Sequence, residues 1–306
     1  MILAQFCGPV LIMSSIRREV MTVKSGKLFV IATPIGNLGD ISFRAVEILR
    51  QADLIAAEDT RHIKVLLQHY GINRKVVSLH QHNEERASLD LVEQLRAGLS
   101  IALVSDAGTP LVSDPGMPLV RMAKEAGIDV SPVPGPCALI AALSAAGLPT
   151  TRFSFEGFAP RSSAERKAFF KAKSASPDTW IFYESCHRVL ASLRDMADVI
   201  TDHRQIVIAR ELTKLHETIV KSTLPNALAL VEVDENMRKG EFVIIVEGAP
   251  KDESKTDVTP EQQKILELLL KECSIKTAVA LAVEITGVRK KLLYQAALAL
   301  AAFEKE

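Results

Sequence analysis

Cysteine is scarce in this chain, and the few cysteines that occur lie far apart. The 306 residues contain four of them, Cys7, Cys137, Cys186 and Cys273, and no two form a CxxC pair. This spacing excludes the usual zinc-ligand patterns and offers no disulfide framework, which favours a protein of the reducing cytosol. We therefore expect a cytoplasmic location and no bound metal.

An excess of either charge is also missing. Lys and Arg together number 37, as do Asp and Glu, so the formal net charge is zero. A neutral chain is not a histone-like binder of polyanions, although one face of it can still be basic. Its length allows two domains with a small appendage, each domain with its own core.

Residues 2–13 form an apolar run that is too short to span a bilayer. It also lacks the preceding positive charge of a signal peptide, since the first basic residue is Arg17. We therefore expect no membrane partner and a poorly ordered extension over residues 1–26. Ordered patterning begins at Lys27, which makes Met21 an alternative start to Met1.

Two common phosphate-binding signatures are absent as well. The loop at 32–40 carries only Gly36 and Gly39, not the G-x-G-x-x-G order of a dinucleotide fingerprint, and the chain has no Gly-Lys-Ser/Thr phosphate loop. The missing fingerprint excludes an NAD-dependent oxidoreductase.

What the chain does contain is a regular alternation of short β-branched runs and amphipathic helical runs. This pattern predicts the α/β class, with one lobe at 27–137, a second at 138–248, and the major cleft between them. The predicted strands are 28–32, 54–57, 76–79, 101–104, 130–133, 153–157, 179–183, 205–209, 218–220 and 241–247. The predicted helices are 42–51, 61–69, 84–97, 117–126, 138–146, 164–173, 188–197 and 225–233.

The end of the chain has a different, all-helical pattern. Residues 249–260 are polar and charged with two prolines, which is typical of a linker, and 261–306 predicts a small helical domain. Its last two helices are joined by a tight turn at Thr286 and Gly287. That arrangement fits a helix-turn-helix, and it equally fits a small bundle that caps the second lobe.

Three loops rich in Gly and Pro follow strands of the first lobe, at 32–40, 105–116 and 132–138. Open α/β sheets bind small ligands at the carboxyl ends of their strands, and glycines let a ligand approach the backbone closely. Such loops are also common in plain strand-to-helix turns. Together, however, they predict a ligand site along one edge of one sheet.

Seven motifs make the chain recognisable when they are taken in order. They are TPIGNLGD at 33–40, AEDTRH at 57–62, SDAGTPLVSDPG at 105–116, PGPCA at 134–138, FEGF at 155–158, FYESCHR at 182–188 and ARELTK at 209–214. The combination resembles the tetrapyrrole-methylase superfamily, and within it the bacterial enzymes that methylate small-subunit ribosomal RNA. The likeness covers about 27–248 and extends into the terminal helices. One departure is Cys186, where we expect a small residue or proline.

The resemblance implies a two-lobed fold with S-adenosylmethionine in the cleft. The residues it places around the methionine and ribose portions are Asp106, Ala107, Gly108 and Pro110. It places Cys137 and Ala138 below the sulfonium, Tyr183 and Ala209 towards the adenine, and Pro34 near the methyl group.

The implied reaction is methyl transfer to the 2′-oxygen of a cytidine in the decoding region of 16S ribosomal RNA. The implied partners are the small ribosomal subunit and a second copy of the chain. Alignment of oxygen, methyl and sulfur supplies much of the acceleration, and a base can take the proton. We select Glu58, Asp59, Arg61 and Lys214 as substrate-proximal candidates and assign no base.

Each of these candidates has a structural alternative. Glu58 and Asp59 follow an apolar strand and can simply cap the next helix. Lys214 can belong to an ion-pair cluster with Arg210 and Glu211. The other polar candidates are His80, His82, Asn83, Glu184, His187, Arg188 and Glu217.

Binding of RNA requires positive charge, because neutralised phosphates supply most nonspecific affinity. The segment 161–173 has five basic residues and one acid, and 289–291 opens the final helix with three basic residues. A solvated helix face is the alternative for the first segment. The predicted RNA-contacting residues are Arg161, Arg166, Lys167, Lys171, Arg289, Lys290 and Lys291.

Two other functions compete with this hypothesis. One is a methyltransferase that acts on a porphyrin-like small molecule with the same fold, against which AEDTRH and the helical tail argue. The other is a non-catalytic helix-turn-helix protein that binds nucleic acid and merely retains the cofactor lobes.

Overall fold

The computed structural model describes residues 26–250 and 258–303, with side chains through residue 300. The chain divides into two compact units, 1–248 and 249–306. The expected extension lies outside the described residues except for Gly26, as does most of the predicted linker. Within the described ranges, no helix is long and apolar enough to cross a membrane.

The first unit opens with a five-stranded sheet in which every strand pair is parallel. The strand order is β3-β2-β4-β1-β5. Two central strands have the sequences LIAA and IALV and are fully buried, as strands covered on both faces are. The strands are β1 (Lys27–Ile31), β2 (Leu54–Ala57), β3 (Val76–Ser78), β4 (Ile101–Val104) and β5 (Asp129–Val133).

The register of this sheet brings its carboxyl ends level with each other. Ile31 pairs with both Val104 and Val133, and Val104 also pairs with Ala57. The loops that leave β1, β2, β4 and β5 therefore start side by side at one edge. The helices that follow are α1 (Phe43–Gln51), α2 (Thr60–His69), α3 (Glu84–Arg96), α4 (Met117–Glu125) and α5 (Ala138–Ala145).

A second five-stranded sheet follows, with the order β6-β7-β10-β8-β9. Only the β6–β7 pair is parallel; the other three pairs are antiparallel. Its strands are β6 (Phe153–Phe158), β7 (Thr179–Ser185), β8 (Gln205–Arg210), β9 (Thr218–Thr223) and β10 (Glu241–Val246). Its helices are α6 (Ser163–Ser174), α7 (Val189–Ala197) and α8 (Leu224–Val233).

The two faces of the second sheet have different neighbours. One face packs against α6, α7 and α8 through residues such as Phe170 and Leu193. The other packs against α5 and against loop residues of the first half, including Ile35 and Val112. A single apolar cluster therefore joins the loops of the first sheet to the second sheet.

The second unit is helical, as the sequence pattern predicts. It contains α9 (Pro260–Glu272), α10 (Ile275–Thr286) and α11 (Lys290–Phe303). A capping box of Thr259 and Gln262 begins α9, and Gly287 ends α10 in the left-handed conformation that favours glycine. The three helices share a small buried core that includes Leu266, Val279 and Leu293.

Candidate active site

The three predicted loops meet at the carboxyl edge of the first sheet. Thr33 and Gly108 exchange backbone hydrogen bonds of 2.8 and 3.0 Å, which joins the loop after β1 to the loop after β4. The Thr109 hydroxyl donates to the carbonyl of Pro136 at 3.1 Å and so ties in the loop after β5. The structure thus brings together segments that are about 100 residues apart in the sequence.

The loop after β4 has an unusual backbone. Leu111 and Ser113 adopt φ values of 72° and 67°, which non-glycine residues rarely do. The loop after β8 repeats this feature at Glu211 and Thr213, with φ values of 52° and 65°. Strained residues of this kind concentrate at ligand-binding sites. Both loops border the cavity described next.

A cavity of about 400 Å³ opens between these loops and the second sheet. This volume is within the range of small-molecule sites. Six of the nine residues predicted for the cofactor line it: Ala107, Gly108, Cys137, Ala138, Tyr183 and Ala209. Pro34, Asp106 and Pro110 do not line it. Glu184, one of the other polar candidates, also lines it. The wall residues that were not predicted for the site are Ile35, Thr109, Val112, Ser113, Asp114, Phe158, Ser185, Leu212, Glu241, Phe242 and Val243.

Tyr183 is the central aromatic residue of this wall. Its ring packs edge-on against Phe155 at 4.8 Å and Phe158 at 5.6 Å between ring centroids. Its hydroxyl accepts the backbone N–H of Leu139 in the first turn of α5 at 3.3 Å. Burial raises the pKa of Tyr183 to about 12, so the phenol is neutral at physiological pH.

Asp106, which was predicted to contact the cofactor, bonds residues at the start of α2 and does not line the cavity. Its carboxylate accepts the backbone N–H of Asp59 at 2.9 Å and pairs with Nδ1 of His62 at 3.0 Å. The hydrogen bond from His62 to this carboxylate, together with its charge, raises the pKa of His62. Asp106 therefore holds the AEDTRH segment against the loop after β4.

Asp59 is the N-cap residue of α2. This capping role is the predicted alternative to a position near the substrate. Its carboxylate accepts the backbone N–H of Arg61 at 2.7 Å and forms an ion pair with the Arg61 guanidinium at 2.6 Å. These hydrogen bonds hold the pKa of Asp59 far below its usual range. The capping does not by itself exclude contact with a substrate, because 86% of the Arg61 side chain is exposed.

Two further carboxyl groups at this edge are held in partly buried surroundings. Burial raises the pKa of Glu58, and the nearby charge of Asp106 raises it further. Burial also raises the pKa of Asp114 to about 6, although the Ser105 hydroxyl opposes the shift. Asp114 lines the cavity and Glu58 does not. The sequence signal for Asp114 is the second Ser-Asp pair of SDAGTPLVSDPG, which was not among the predicted site residues.

Lys214 lies in an ion-pair cluster with Glu211 and Glu241. An ion-pair cluster is the predicted alternative to a position near the substrate for this residue. Its ammonium bonds Glu211 at 2.9 Å and Glu241 at 2.8 Å, and Glu241 lines the cavity. Gly36 packs directly against this segment, since a Cβ there would lie 2.8 Å from the Thr213 hydroxyl oxygen. The cluster therefore joins the loop after β1 to the loop after β8 beside the cavity.

Several other polar candidates form hydrogen bonds or ion pairs within the fold. The buried Arg210 donates to the carbonyls of Lys239 at 2.6 Å and His216 at 3.1 Å. The buried Glu184 pairs with Arg188 at 2.6 Å. His80 and His82 have ring centroids 5.9 Å apart, but the described residues contain no group of three or more potential metal ligands.

The predicted RNA-contacting residues divide into exposed and buried ones. Arg166 is buried and not placed to contact RNA: it is only 4% exposed, and its Nε donates to Asp195 at 2.8 Å. Helical spacing places it on the same buried face as Phe170. Lys167 pairs with Asp198 at 2.6 Å. The exposed members of the set are Arg161, Lys171, Arg289, Lys290 and Lys291.

Comparison with known proteins agrees with this geometry. The tetrapyrrole (corrin/porphyrin) methylase family matches residues 27–228, and the RsmI C-terminal HTH domain family matches 256–301. Among solved structures, diphthine synthase superposes with a TM-score of 0.56 at 18% identity, covering 72% of this chain and 90% of that one. Cobalt precorrin-4 methyltransferase superposes with a TM-score of 0.52 at 19% identity, covering 72% and 95%. At such low identity these two structures show the fold alone.

The family match over residues 27–228, more than half of the chain, places the chain in the class of tetrapyrrole methylases. Two curated relatives are named ribosomal RNA small subunit methyltransferase I. The protein from Escherichia coli O157:H7 is 54% identical, with 89% of this chain and 95% of that protein covered. The one from Pseudomonas aeruginosa PAO1 is 52% identical, with 90% and 98% covered. The chain belongs to the ribosomal RNA small subunit methyltransferase I family.

Proposed function

We propose that this protein transfers a methyl group from S-adenosylmethionine to the 2′-oxygen of a cytidine in the decoding region of 16S ribosomal RNA. The observation that carries the proposal is the 400 Å³ cavity at the carboxyl edge of the first sheet, in a chain of this family. We further propose that the small ribosomal subunit is the substrate, in the cytoplasm, and that the enzyme acts as a homodimer.

The cavity has the chemistry that S-adenosylmethionine requires. Ala209 and Val243 of the second sheet and Leu212 of the loop after β8 give it an apolar floor, which suits a purine. Gly108 presents backbone without a side chain on the opposite side. The first turn of α5 offers backbone N–H groups next to Cys137 and Ala138, where no side-chain cap is present. These residues would hold the cofactor, which supplies a methyl group bound to a positively charged sulfur.

The chain's own residues then have to orient the acceptor hydroxyl and receive its proton. Asp114 is the half-buried carboxylate of the cavity wall, and a pKa of about 6 leaves it ionised at neutral pH. A base with a pKa near the working pH is the most effective proton acceptor. We propose that Asp114 accepts the hydroxyl proton as the oxygen attacks the methyl group.

Glu58, Asp59, Arg61 and Lys214 remain proposed as substrate-proximal residues. Glu58, Asp59 and Arg61 belong to the AEDTRH segment. Asp106 holds this segment at the carboxyl edge of the first sheet, against the loop after β4. The exposed Arg61 guanidinium is suited to a phosphate, and Asp59 fixes its orientation with a bidentate ion pair, in which Nε donates to Oδ1 and a terminal nitrogen donates to Oδ2. Lys214, through Glu241, reaches the wall of the cavity itself.

Salt dependence provides a test of the basic residues in the helical unit. Replacing Arg289, Lys290 and Lys291 by Ala removes three exposed cations, each of which displaces about one counterion when it meets a phosphate. We expect weaker binding of small subunits and a plot of log K against log salt that is shallower by about 0.7–0.9 for each phosphate that is no longer neutralised. Filter binding at several salt concentrations measures this slope.

The matched control for this variant is the affinity for S-adenosylmethionine, which has to stay unchanged. An unchanged salt slope would show that these three residues do not contact RNA. A parallel loss of cofactor affinity would instead assign the helical unit a purely structural role.

The proposed reaction is tested by offering labelled S-adenosylmethionine to three acceptors. These are small ribosomal subunits that lack the modification, the same RNA free of protein, and a porphyrin precursor. Label on the subunit RNA supports the proposal. Label only on the porphyrin precursor would show that the protein is a small-molecule methyltransferase. Label on none of the three acceptors would favour a nucleic-acid-binding protein without catalytic activity.

A further inference from the structure

Phe158 is a large aromatic residue that the fold leaves exposed at the cavity. It ends β6, lines the cavity, and is 56% exposed. Phe155, which lies on the same strand, packs instead into the apolar cluster between the two sheets. The exposure of Phe158 therefore has no explanation in packing alone.

A β-bulge puts Phe158 in this position. Phe155 pairs with Ile181 and Phe158 pairs with Tyr183, so β6 has one more residue than β7 over the same stretch. Without that extra residue, alternation along the strand would turn Phe158 to the opposite face from Phe155. With it, both rings contact the same side chain, Tyr183.

Gly157 makes the bulge possible and connects it to the active-site loop. Its φ of 70° lies in the left-handed region that glycine adopts readily. A Cβ there would approach the Ser113 hydroxyl oxygen to 3.7 Å, which is ordinary van der Waals contact. Gly157, the residue before Phe158, therefore lies close to Ser113, and Phe158, Ser113 and Asp114, the proposed proton acceptor, all line the same cavity.

We infer that Phe158 is a positioning residue whose ring stacks on the base of the acceptor nucleotide and so sets its 2′-oxygen at the methyl group. This inference rests on the proposed function. Proteins recognise unpaired RNA bases by stacking them on exposed aromatic rings. Edge-on contact with Tyr183 orients the ring, and more than half of its surface stays free. The exposed Arg161, three residues further on, is suited to the adjoining phosphate.

The test compares Phe158→Ala, Phe158→Leu and Phe158→Trp with the wild type, using small ribosomal subunits and labelled S-adenosylmethionine. Stacking on one base corresponds to about 5- to 150-fold in affinity. We expect kcat/KM for subunits to fall at least 10-fold in the Ala and Leu variants. The Trp variant should stay within about threefold, because its ring also stacks. The affinity for S-adenosylmethionine should change less than twofold in all three.

Phe153→Ala is the matched control, since Phe153 lies on the same strand, is 40% exposed and does not line the cavity. We expect wild-type kinetics for it. A loss of cofactor affinity in Phe158→Ala would overturn the inference, because the ring would then cover the cofactor. Full activity of Phe158→Leu would also overturn it, because any apolar side chain would suffice. Absence of methyl transfer by the wild type would be a failure of the proposed function and not of this inference.

Discussion

Asp114→Asn should lower kcat for methyl transfer by about 10²- to 10⁴-fold, the range of a lost general base. Asn has nearly the same shape as Asp but cannot accept the hydroxyl proton. Asp114 is one of many residues that line the cavity, so we expect the affinity for S-adenosylmethionine to change only severalfold. Single-turnover kinetics with small subunits, beside cofactor titration, separates the two quantities.

The dependence of kcat on pH in the wild type tests the role of Asp114 independently. The pKa of Asp114 is raised to about 6, mainly by burial, so below that pH the carboxyl is protonated and cannot act as a base. We expect kcat to rise with pH through about 6 and then level off, and the Asn variant to lack this limb. Glu58→Gln should shift the limb to lower pH, because the charge of Glu58 contributes to raising the pKa of Asp114.

Stability provides the control for Asp114→Asn. A carboxyl group whose pKa is higher in the folded state stabilises the fold in its protonated form, and this contribution is lost as pH rises from about 4 to about 6. Asn resembles the protonated form, so the free energy of unfolding at neutral pH should not fall. If the variant turns over at the wild-type rate, Asp114 is not the proton acceptor.

Ala209→Leu should abolish most of the affinity for S-adenosylmethionine. Ala209 is fully buried on β8 and lines the cavity, so a leucine there extends into the space that we assign to the adenine. Overpacking of a well-filled site costs about 1–3 kcal/mol, which corresponds to roughly 5- to 150-fold in the dissociation constant. Isothermal titration calorimetry measures the loss.

Ala209→Gly is the matched control, because it leaves the cavity open. It should retain cofactor binding while losing about 0.5–1 kcal/mol of stability, since glycine weakens a strand interior. Thermal unfolding of both variants shows whether the fold persists. Wild-type affinity in a folded Ala209→Leu variant would place the cofactor elsewhere.

The sequence predicted the architecture well because the signals for it are local. Alternating β-branched strands and amphipathic helices gave the element order, and strands such as β4 are apolar throughout because both of their faces are covered. The three Gly- and Pro-rich loops were correctly predicted to meet, since parallel strands end at one edge. Six of the residues that the family resemblance placed around the cofactor line one cavity.

What the sequence could not predict depends on contacts between distant segments. Arg166 looked like a surface cation in a basic run, but its partner Asp195 lies 29 residues away on another helix. The shifted pKa of Asp114 comes from burial in a folded loop, which no short motif encodes. The position of Phe158 depends on a single-residue bulge, and alternation along the strand would have predicted the opposite face.

The central claim is that this cavity delivers a methyl group to a ribose oxygen of small-subunit RNA. The most direct test is to methylate unmodified small subunits with labelled S-adenosylmethionine, digest the RNA to nucleosides and identify the labelled product by mass spectrometry. We expect label in 2′-O-methylcytidine alone. Label on a base, or no label in RNA while a tetrapyrrole is methylated, would contradict it.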